Sequence, residues 1–214
     1  MLDLECLATA SPRLQPFPHL AAEGALDEAW RHDLAMDFPD PRKTGFFPVE
    51  TLNCGKAFTD LIAEMRAPGF SKLVGDKLGL DLSERPQMFV ARRWSAARDG
   101  SPHTDGGDKV ATGLIYFNEA WEDDRGALRF LEGPDLNGPG TEPVRPLFGN
   151  FLAFARSDRS WHGHPSFVGE RRVLQVFWLK DVDAMERKRR RHRRGALLKA
   201  LWPFGPNRRR QRHA

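Results

Sequence analysis

The sequence predicts an α+β protein. Mainly helical cover occupies about residues 18–80, and a β core built as an antiparallel sandwich or jelly roll follows over about residues 85–180. Three observations point there. Apolar residues recur at helical spacing in the first part of the chain. After Pro86, short runs rich in Phe, Val, Leu and Ile are separated by Gly, Pro, Asp and Asn. The connections between those runs suit antiparallel neighbours rather than alternating βαβ units.

Taken in order, Leu14–Leu20 (LQPFPHL) holds two prolines, which confine it to an edge strand or an extended lead-in. Ala21–Leu34 has apolar positions at helical spacing, Asp40–Gly45 is a loop punctuated by Pro and Gly, and Phe58–Met65 is a second amphipathic helix. The expected strands are Met88–Trp94, Val110–Asn118, Ala127–Leu131, Asn150–Ala155 and Arg172–Leu179. Glu132–Thr141 (EGPDLNGPGT) forms a loop between the third and fourth. There is no internal repeat and no Gly-rich phosphate loop.

At 214 residues the chain has the size of one domain with an appendage. Hydrophobic residues at 40% against charged residues at 29% describe a globular chain rather than a disordered one. No apolar run reaches the ~18 residues of a membrane-spanning helix. Met1–Pro12 carries Asp3 and Glu5 and lacks the basic-then-apolar pattern of a secretion signal. Cys6 and Cys54 form no CxxC pair, which fits a reducing cytoplasm and no disulfide framework. The net charge of +4 conceals two opposite parts: the last 29 residues carry 12 Lys or Arg against one Glu, and the preceding 185 carry 21 basic residues against 28 acidic. The chain therefore divides into a domain at 1–183 and a basic amphipathic tail at 184–214.

Two clusters of metal-ligand type flank the central strands. His103-Thr104-Asp105 lies in RDGSPHTDGG, just before the strand at Val110. Ser160-Trp161-His162-Gly163-His164-Pro165 precedes the last strand. Alternate residues of an extended segment point the same way, so His103 and Asp105 can reach one metal together. A histidine from a distant strand completes a two-His, one-carboxylate face, which leaves positions open on Fe(II) and suits oxygenase chemistry. An HxD triplet alone is common. The order strand, HxD, strand, loop, strand, His, Arg is far more specific.

That order resembles the Fe(II)- and 2-oxoglutarate-dependent oxygenases, specifically the prolyl-4-hydroxylase-like branch. The resemblance spans about residues 16–180. It is carried by PFPHL (16–20), His103-Thr104-Asp105, LIYFNEAWEDDRGALRFLEG (114–133) and WHGHPSFVGERRVLQVFW (161–178). It implies a double-stranded β-helix, or jelly roll, with Fe(II) held by His103, Asp105 and His162, and 2-oxoglutarate as cosubstrate. Arg171, nine residues beyond His162, matches the residue that binds the far carboxylate of 2-oxoglutarate, where a guanidinium gives a bidentate grip. Tyr116, the only tyrosine in the chain, matches a tyrosine contacting the same carboxylate. His164 is the alternative to His162 and would leave Arg171 only seven residues away; Arg172 is the alternative to Arg171. Gly126-Ala127 replaces the usual Gly-Gly, and Arg92, Arg93 and Trp94 stand where many relatives carry a tyrosine.

The implied reaction consumes 2-oxoglutarate and O2, hydroxylates an organic or protein substrate and releases succinate and CO2. Asp105 argues for hydroxylation over halogenation, and Phe177, six residues beyond Arg171, argues against the nucleic-acid-dealkylating branch. Two other readings stand beside it: a catalytically inactive jelly-roll module attached to a membrane or nucleic acid by its basic tail, and a Zn hydrolase, which lacks an HExxH-type base. In the tail, MERKRRRHRR (185–194) leads into Leu197, Leu198, Leu201 and Trp202 on one helical face. Three readings of residues 186–214 stand side by side: attachment to an anionic membrane surface, binding to nucleic acid, which they suit less well, and a solvated tail or one that folds back on the acidic domain. The expected location is the cytoplasm, with peripheral membrane attachment.

Overall fold

The computed structural model describes residues 1–122 and 124–190. Four α-helices, α1 (Leu4–Thr9), α2 (Arg31–Asp37), α3 (Lys56–Arg66) and α4 (Pro68–Leu78), belong to the first 80 residues. Eight strands follow or interleave: β1 (His19–Ala22), β2 (Phe47–Pro48), β3 (Gln87–Ser95), β4 (Lys109–Tyr116), β5 (Arg129–Leu131), β6 (Phe151–Ala155), β7 (Trp161–Gly163) and β8 (Gly169–Leu179). Six of them form one sheet in the order β1-β6-β4-β8-β3-β2, and β5 pairs with β7 in a small second sheet. The neighbours in both sheets are antiparallel. This mixed architecture with an antiparallel core is consistent with a jelly roll.

The alternation of side chains along the strands explains the layers. On β6, Phe151 and Ala153 join the core under the helices, and Leu152 and Phe154 face the other way. On β4 and β8, Ile115, Leu174 and Val176 join the same helix-covered core, and Leu114, Tyr116 and Val173 lie on the opposite face. Both faces are largely buried, so these strands read as mainly apolar runs without a regular apolar–polar alternation. Helices α3 and α4 supply Phe58, Leu61, Met65, Phe70 and Val74 to the outer core. There the Trp178 ring stacks on Phe70 at 5.8 Å and its indole N–H donates to Ser71 Oγ at 2.9 Å. Gly113, at the centre of β4, leaves room for this packing: a Cβ there would lie 2.9 Å from Val176 Cγ1.

One expected helix is not formed. Ala21–Leu34 divides into the end of β1, a turn, a 3-10 turn (Glu28–Trp30) and α2. Ala21 and Ala22 are drawn into the sheet by Leu152 and Phe151, and Gly24 then reverses the chain at φ +77°. A fresh start follows, with the Asp27 carboxylate accepting from Ala29 N–H. Helical spacing was present, but strand pairing took its first residues. The short α1, and α4 with Pro68 at its start and Gly79 in the left-handed region at its end, also lie outside the sequence expectation.

Residues 182–190 are helical, whereas the amphipathic stripe Leu197–Trp202 lies outside the described residues. No helix among the described residues is long and apolar enough to cross a membrane.

Candidate active site

The face of the large sheet opposite the helices looks onto a cavity of about 510 Å³, bounded on its other side by Leu128, β7 and the loop before β4. That loop is docked through His103. Its backbone N–H donates to His162 O and its carbonyl oxygen accepts from the His162 N–H, both at 3.0 Å. The pair is a two-residue antiparallel bridge, and it sets the two imidazole rings 4.4 Å apart, centroid to centroid. Gly163 is needed beside it: a Cβ at this position would sit 2.8 Å from Gly100 O and 3.0 Å from Pro102 Cα. His103, Asp105 and His162 each offer a ligand atom, and these atoms all lie within 4.8 Å of one another. His164 lines the cavity but stands outside this cluster.

Local hydrogen bonds prepare the three side chains. His103 Nδ1 lies 2.9 Å from Ser101 O, and His162 Nδ1 lies 3.0 Å from Ser160 O. A carbonyl oxygen only accepts, so each Nδ1 carries the hydrogen and each Nε2 keeps its lone pair. Burial pushes the His162 imidazole down to about 4 despite the attraction of Asp105, so it is neutral at physiological pH. Asp105 is also buried, which by itself would raise its pKa. The charge of Lys109, the His162 imidazolium that forms in acid, and hydrogen bonds from Lys109 and Thr112 bring it down to about 2. Lys109 Nζ and Thr112 Oγ1 each donate to a different Asp105 oxygen at 2.5 Å.

Lys109 and Thr112 were absent from the sequence reading. Positions three apart on a regular strand face opposite sides. A register shift between Lys109 and Ala111, opposite β8, lets both reach the same carboxylate. The available signal was a lysine four residues after Asp105 at the start of an apolar run.

The same alternation separates the two arginines of β8. Arg171 points into the cavity and is 2% exposed. Its Nε donates to Gly126 O at 2.8 Å and its Nη2 to Tyr116 Oη at 3.2 Å. Arg172, on the other face, donates through Nε to Glu170 at 2.7 Å and through Nη1 to Ala35 O at 3.3 Å. Tyr116 is fully buried, and burial holds its hydroxyl in the neutral, hydrogen-bonding form.

Comparison with known proteins places this geometry in a class. Residues 90–180 match the model of the 2OG-Fe(II) oxygenase superfamily. Several solved structures share the fold, among them the following three. A Pseudomonas putida prolyl-4-hydroxylase is 16% identical with a TM-score of 0.53, over 83% of this chain and 97% of that one. A Trichoplax adhaerens prolyl hydroxylase, in complex with a hypoxia inducible factor oxygen degradation domain peptide fragment, is 14% identical with a TM-score of 0.55, over 85% and 90%. A Burkholderia pseudomallei oxidoreductase of the 2OG-Fe(II) oxygenase family is 14% identical with a TM-score of 0.52, over 76% and 84%. No curated protein sequence matches the chain. Residues 90–180 are thus similar to a 2OG-Fe(II) oxygenase domain, and this match supports an enzyme of the dioxygenase class. Within that class its fold is the prolyl-4-hydroxylase-like one. Enzymes of this family use Fe(II) and 2-oxoglutarate, and the donor set suits the metal: two imidazoles whose Nδ1 atoms are engaged by carbonyl oxygens, leaving Nε2 to the metal, and one ionised carboxylate.

The buried histidines make the metal-free protein acid-sensitive. His162 and His164 have folded pKa values of about 4 and about 3, both lowered first by burial and, for His164, next by Arg171; an unfolded histidine takes its proton near ~6.5. Between those values only the unfolded chain binds these protons, so stability falls as pH falls. His19, also lowered by burial, acts in the same direction. Urea unfolding of metal-free protein between pH ~6 and ~5 is expected to lose roughly 2–3 kcal/mol per pH unit, and His164→Gln to lose about half of that slope. A flat profile contradicts this account.

Proposed function

We propose that the chain is an Fe(II)- and 2-oxoglutarate-dependent hydroxylase that oxidises a C–H bond of an organic or protein substrate and releases succinate and CO2. One observation carries the reading: the His103–Asp105–His162 donor cluster and the buried Arg171–Tyr116 pair converge on one sheet face and its cavity. His103, Asp105 and His162 hold Fe(II), Arg171 receives the far carboxylate of 2-oxoglutarate, and Tyr116 adds a hydrogen bond to it. Together the metal and cosubstrate divide O2 between substrate and succinate, with loss of CO2.

The chain's own residues prepare that chemistry. The Nδ1–H bonds to Ser101 O and Ser160 O lock both rings with Nε2 facing inward. Lys109 and Thr112 fix the Asp105 carboxylate plane. Gly126 O and Tyr116 Oη orient the Arg171 guanidinium before any ligand arrives, so little ordering remains to be done on binding. Val90, Leu114, Leu128 and Phe177 line the cavity with apolar surface that keeps bulk water from the reacting centre. The complex of the Trichoplax relative makes a peptide-borne C–H bond one substrate class to test. Residues 1–183 form the oxygenase unit in this reading, and the basic tail at 184–214 supplies none of the groups that hold Fe(II) or 2-oxoglutarate.

The deciding experiment is anaerobic titration with Fe(II) and 2-oxoglutarate, followed by admission of O2. The expected result is a visible charge-transfer band at one equivalent of each, then succinate on exposure to O2. Absence of both the band and metal binding would falsify the proposal.

A further inference from the structure

The cavity holds a second buried guanidinium. Arg92 lies on β3 opposite Val173 of β8, on the same inner face as Val90, and is 8% exposed. Its planar group stacks on the Phe46 ring, with Cζ 4.0 Å from the ring centroid. One terminal nitrogen approaches Asp99 Oδ1 at 3.5 Å, while the other Asp99 oxygen accepts from Ala96 N–H at 2.8 Å. The Nε–H has no hydrogen-bond partner; among the described residues only one other buried side-chain atom, Ser95 Oγ, shares that state. A guanidinium is costly to bury with a donor unmatched, and that cost is retained where a ligand supplies the acceptor. Burial, with Arg171 nearby, lowers the Arg92 pKa to about 10, and it remains a cation at neutral pH.

The charges around it favour an anion. Lys109 is already matched by Asp105, and Arg171 already spends Nε and Nη2 on Gly126 and Tyr116. Arg98 adds a positive charge to the cavity wall, and Lys188 from the helical segment 182–190 reaches the same cavity over the Phe177 ring. Asp99 and Asp105 are the carboxylates lining the cavity, against Arg92, Arg98, Lys109, Arg171 and Lys188. Even after a metal dication and a cosubstrate dianion cancel one another, the walls retain an excess of positive charge. A register shift between Arg92 and Trp94 marks a local irregularity of β3 where the guanidinium is presented.

We infer that Arg92 recognises a carboxylate of the substrate, so that the enzyme hydroxylates a carboxylate-bearing molecule held with its anionic group on β3 and its C–H bond toward His103, Asp105 and His162. This rests on the function proposed above and adds the substrate class. The Nε–H and an adjacent terminal N–H form the edge that grips a carboxylate with two parallel hydrogen bonds. The Phe46 ring holds the plane of the group, and the 3.5 Å contact with Asp99 is loose enough to yield to a better acceptor.

The test uses the full chain loaded with Mn(II) and 2-oxoglutarate, which binds without turning over. Isothermal titration compares free L-amino acids with their C-terminal amides, and short peptides ending in a carboxylate with their amidated forms. At least one carboxylate is expected to bind about 10–100-fold more tightly than its amide. Whether that preference belongs to the free acids or the peptides identifies the source. Arg92→Gln should abolish the preference while holding 2-oxoglutarate within about twofold of wild type, which also reports a folded site, and Arg92→Lys should restore only part of it. Equal binding of acids and amides by the wild type overturns the inference. So does a loss of 2-oxoglutarate affinity in Arg92→Gln as large as in Arg171→Gln, which would place Arg92 on the cosubstrate. A wild type that takes up neither Mn(II) nor 2-oxoglutarate removes the underlying reading as well, and is told apart from the other two outcomes by that loss.

Discussion

His162→Ala is expected to abolish Fe(II) binding and succinate formation while leaving the fold in place. His162 is one of three donors whose ligand atoms lie within 4.8 Å, and it alone of the three comes from β7. Without it His103 and Asp105 remain as a two-donor site on a loop. Loss of an outer-shell partner costs ~10–100-fold in metal affinity, and loss of a direct ligand should exceed that. The substitution also removes a ring that packs on Phe154 at 4.5 Å, so a moderate stability loss of about 1–3 kcal/mol accompanies it. The two effects separate cleanly: the circular dichroism spectrum at 20 °C should match wild type, and metal titration should not saturate. His164→Ala is the matched control, since His164 lies outside the donor cluster and should leave metal affinity nearly unchanged. If His162→Ala binds metal as wild type does and His164→Ala does not, the assignment of the distal ligand is wrong.

The second large effect is expected at Arg171. Truncating one partner of a buried, hydrogen-bonded charge pair costs about 2–5 kcal/mol, so Arg171→Gln should weaken 2-oxoglutarate binding by roughly 30-fold or more. Arg171→Lys keeps the charge but loses the planar fork that donates to Gly126 O and Tyr116 Oη, and should recover only part of the affinity. Tyr116→Phe removes a hydrogen bond to a charged group and should cost about 10–100-fold. Metal affinity measured without 2-oxoglutarate should not move in any of the three. The 2-oxoglutarate dissociation constant, read from the charge-transfer band, checks all of them; an unchanged constant in Arg171→Gln would exclude the role.

Much of the β core was legible because strands buried on both faces leave a strong composition signal. Met88–Trp94 and Asn150–Ala155 lie within one residue of β3 and β6 at each end. The helical cover was harder, since Ala21 and Ala22 satisfy a helical period and a sheet edge equally well, and only the partners Leu152 and Phe151 choose between them. The short β7 was missed: three residues, two of them polar or glycine, carry no strand signal of their own. What makes that segment a strand is its pairing with Arg129–Leu131.

Residue types and their order along the chain were determined by the sequence alone: an HxD pair ahead of a central strand, a distal histidine, an arginine nine residues beyond it, and a basic tail after an acidic domain. Which member of each adjacent pair faces the cavity was decided by tertiary structure. Strand side chains alternate, so the register of β8 between β3 and β4 turns Arg171 inward and leaves Arg172 to Glu170. Both distal histidines line the cavity, and backbone pairing of His103 with His162 decides which of them joins the donor cluster. Two irregularities, at Lys109/Ala111 and at Arg92/Trp94, bring a lysine onto Asp105 and accompany the unmatched guanidinium of Arg92 on the cavity wall. Such placements depend on contacts between residues up to about 80 positions apart, and no local pattern encodes them.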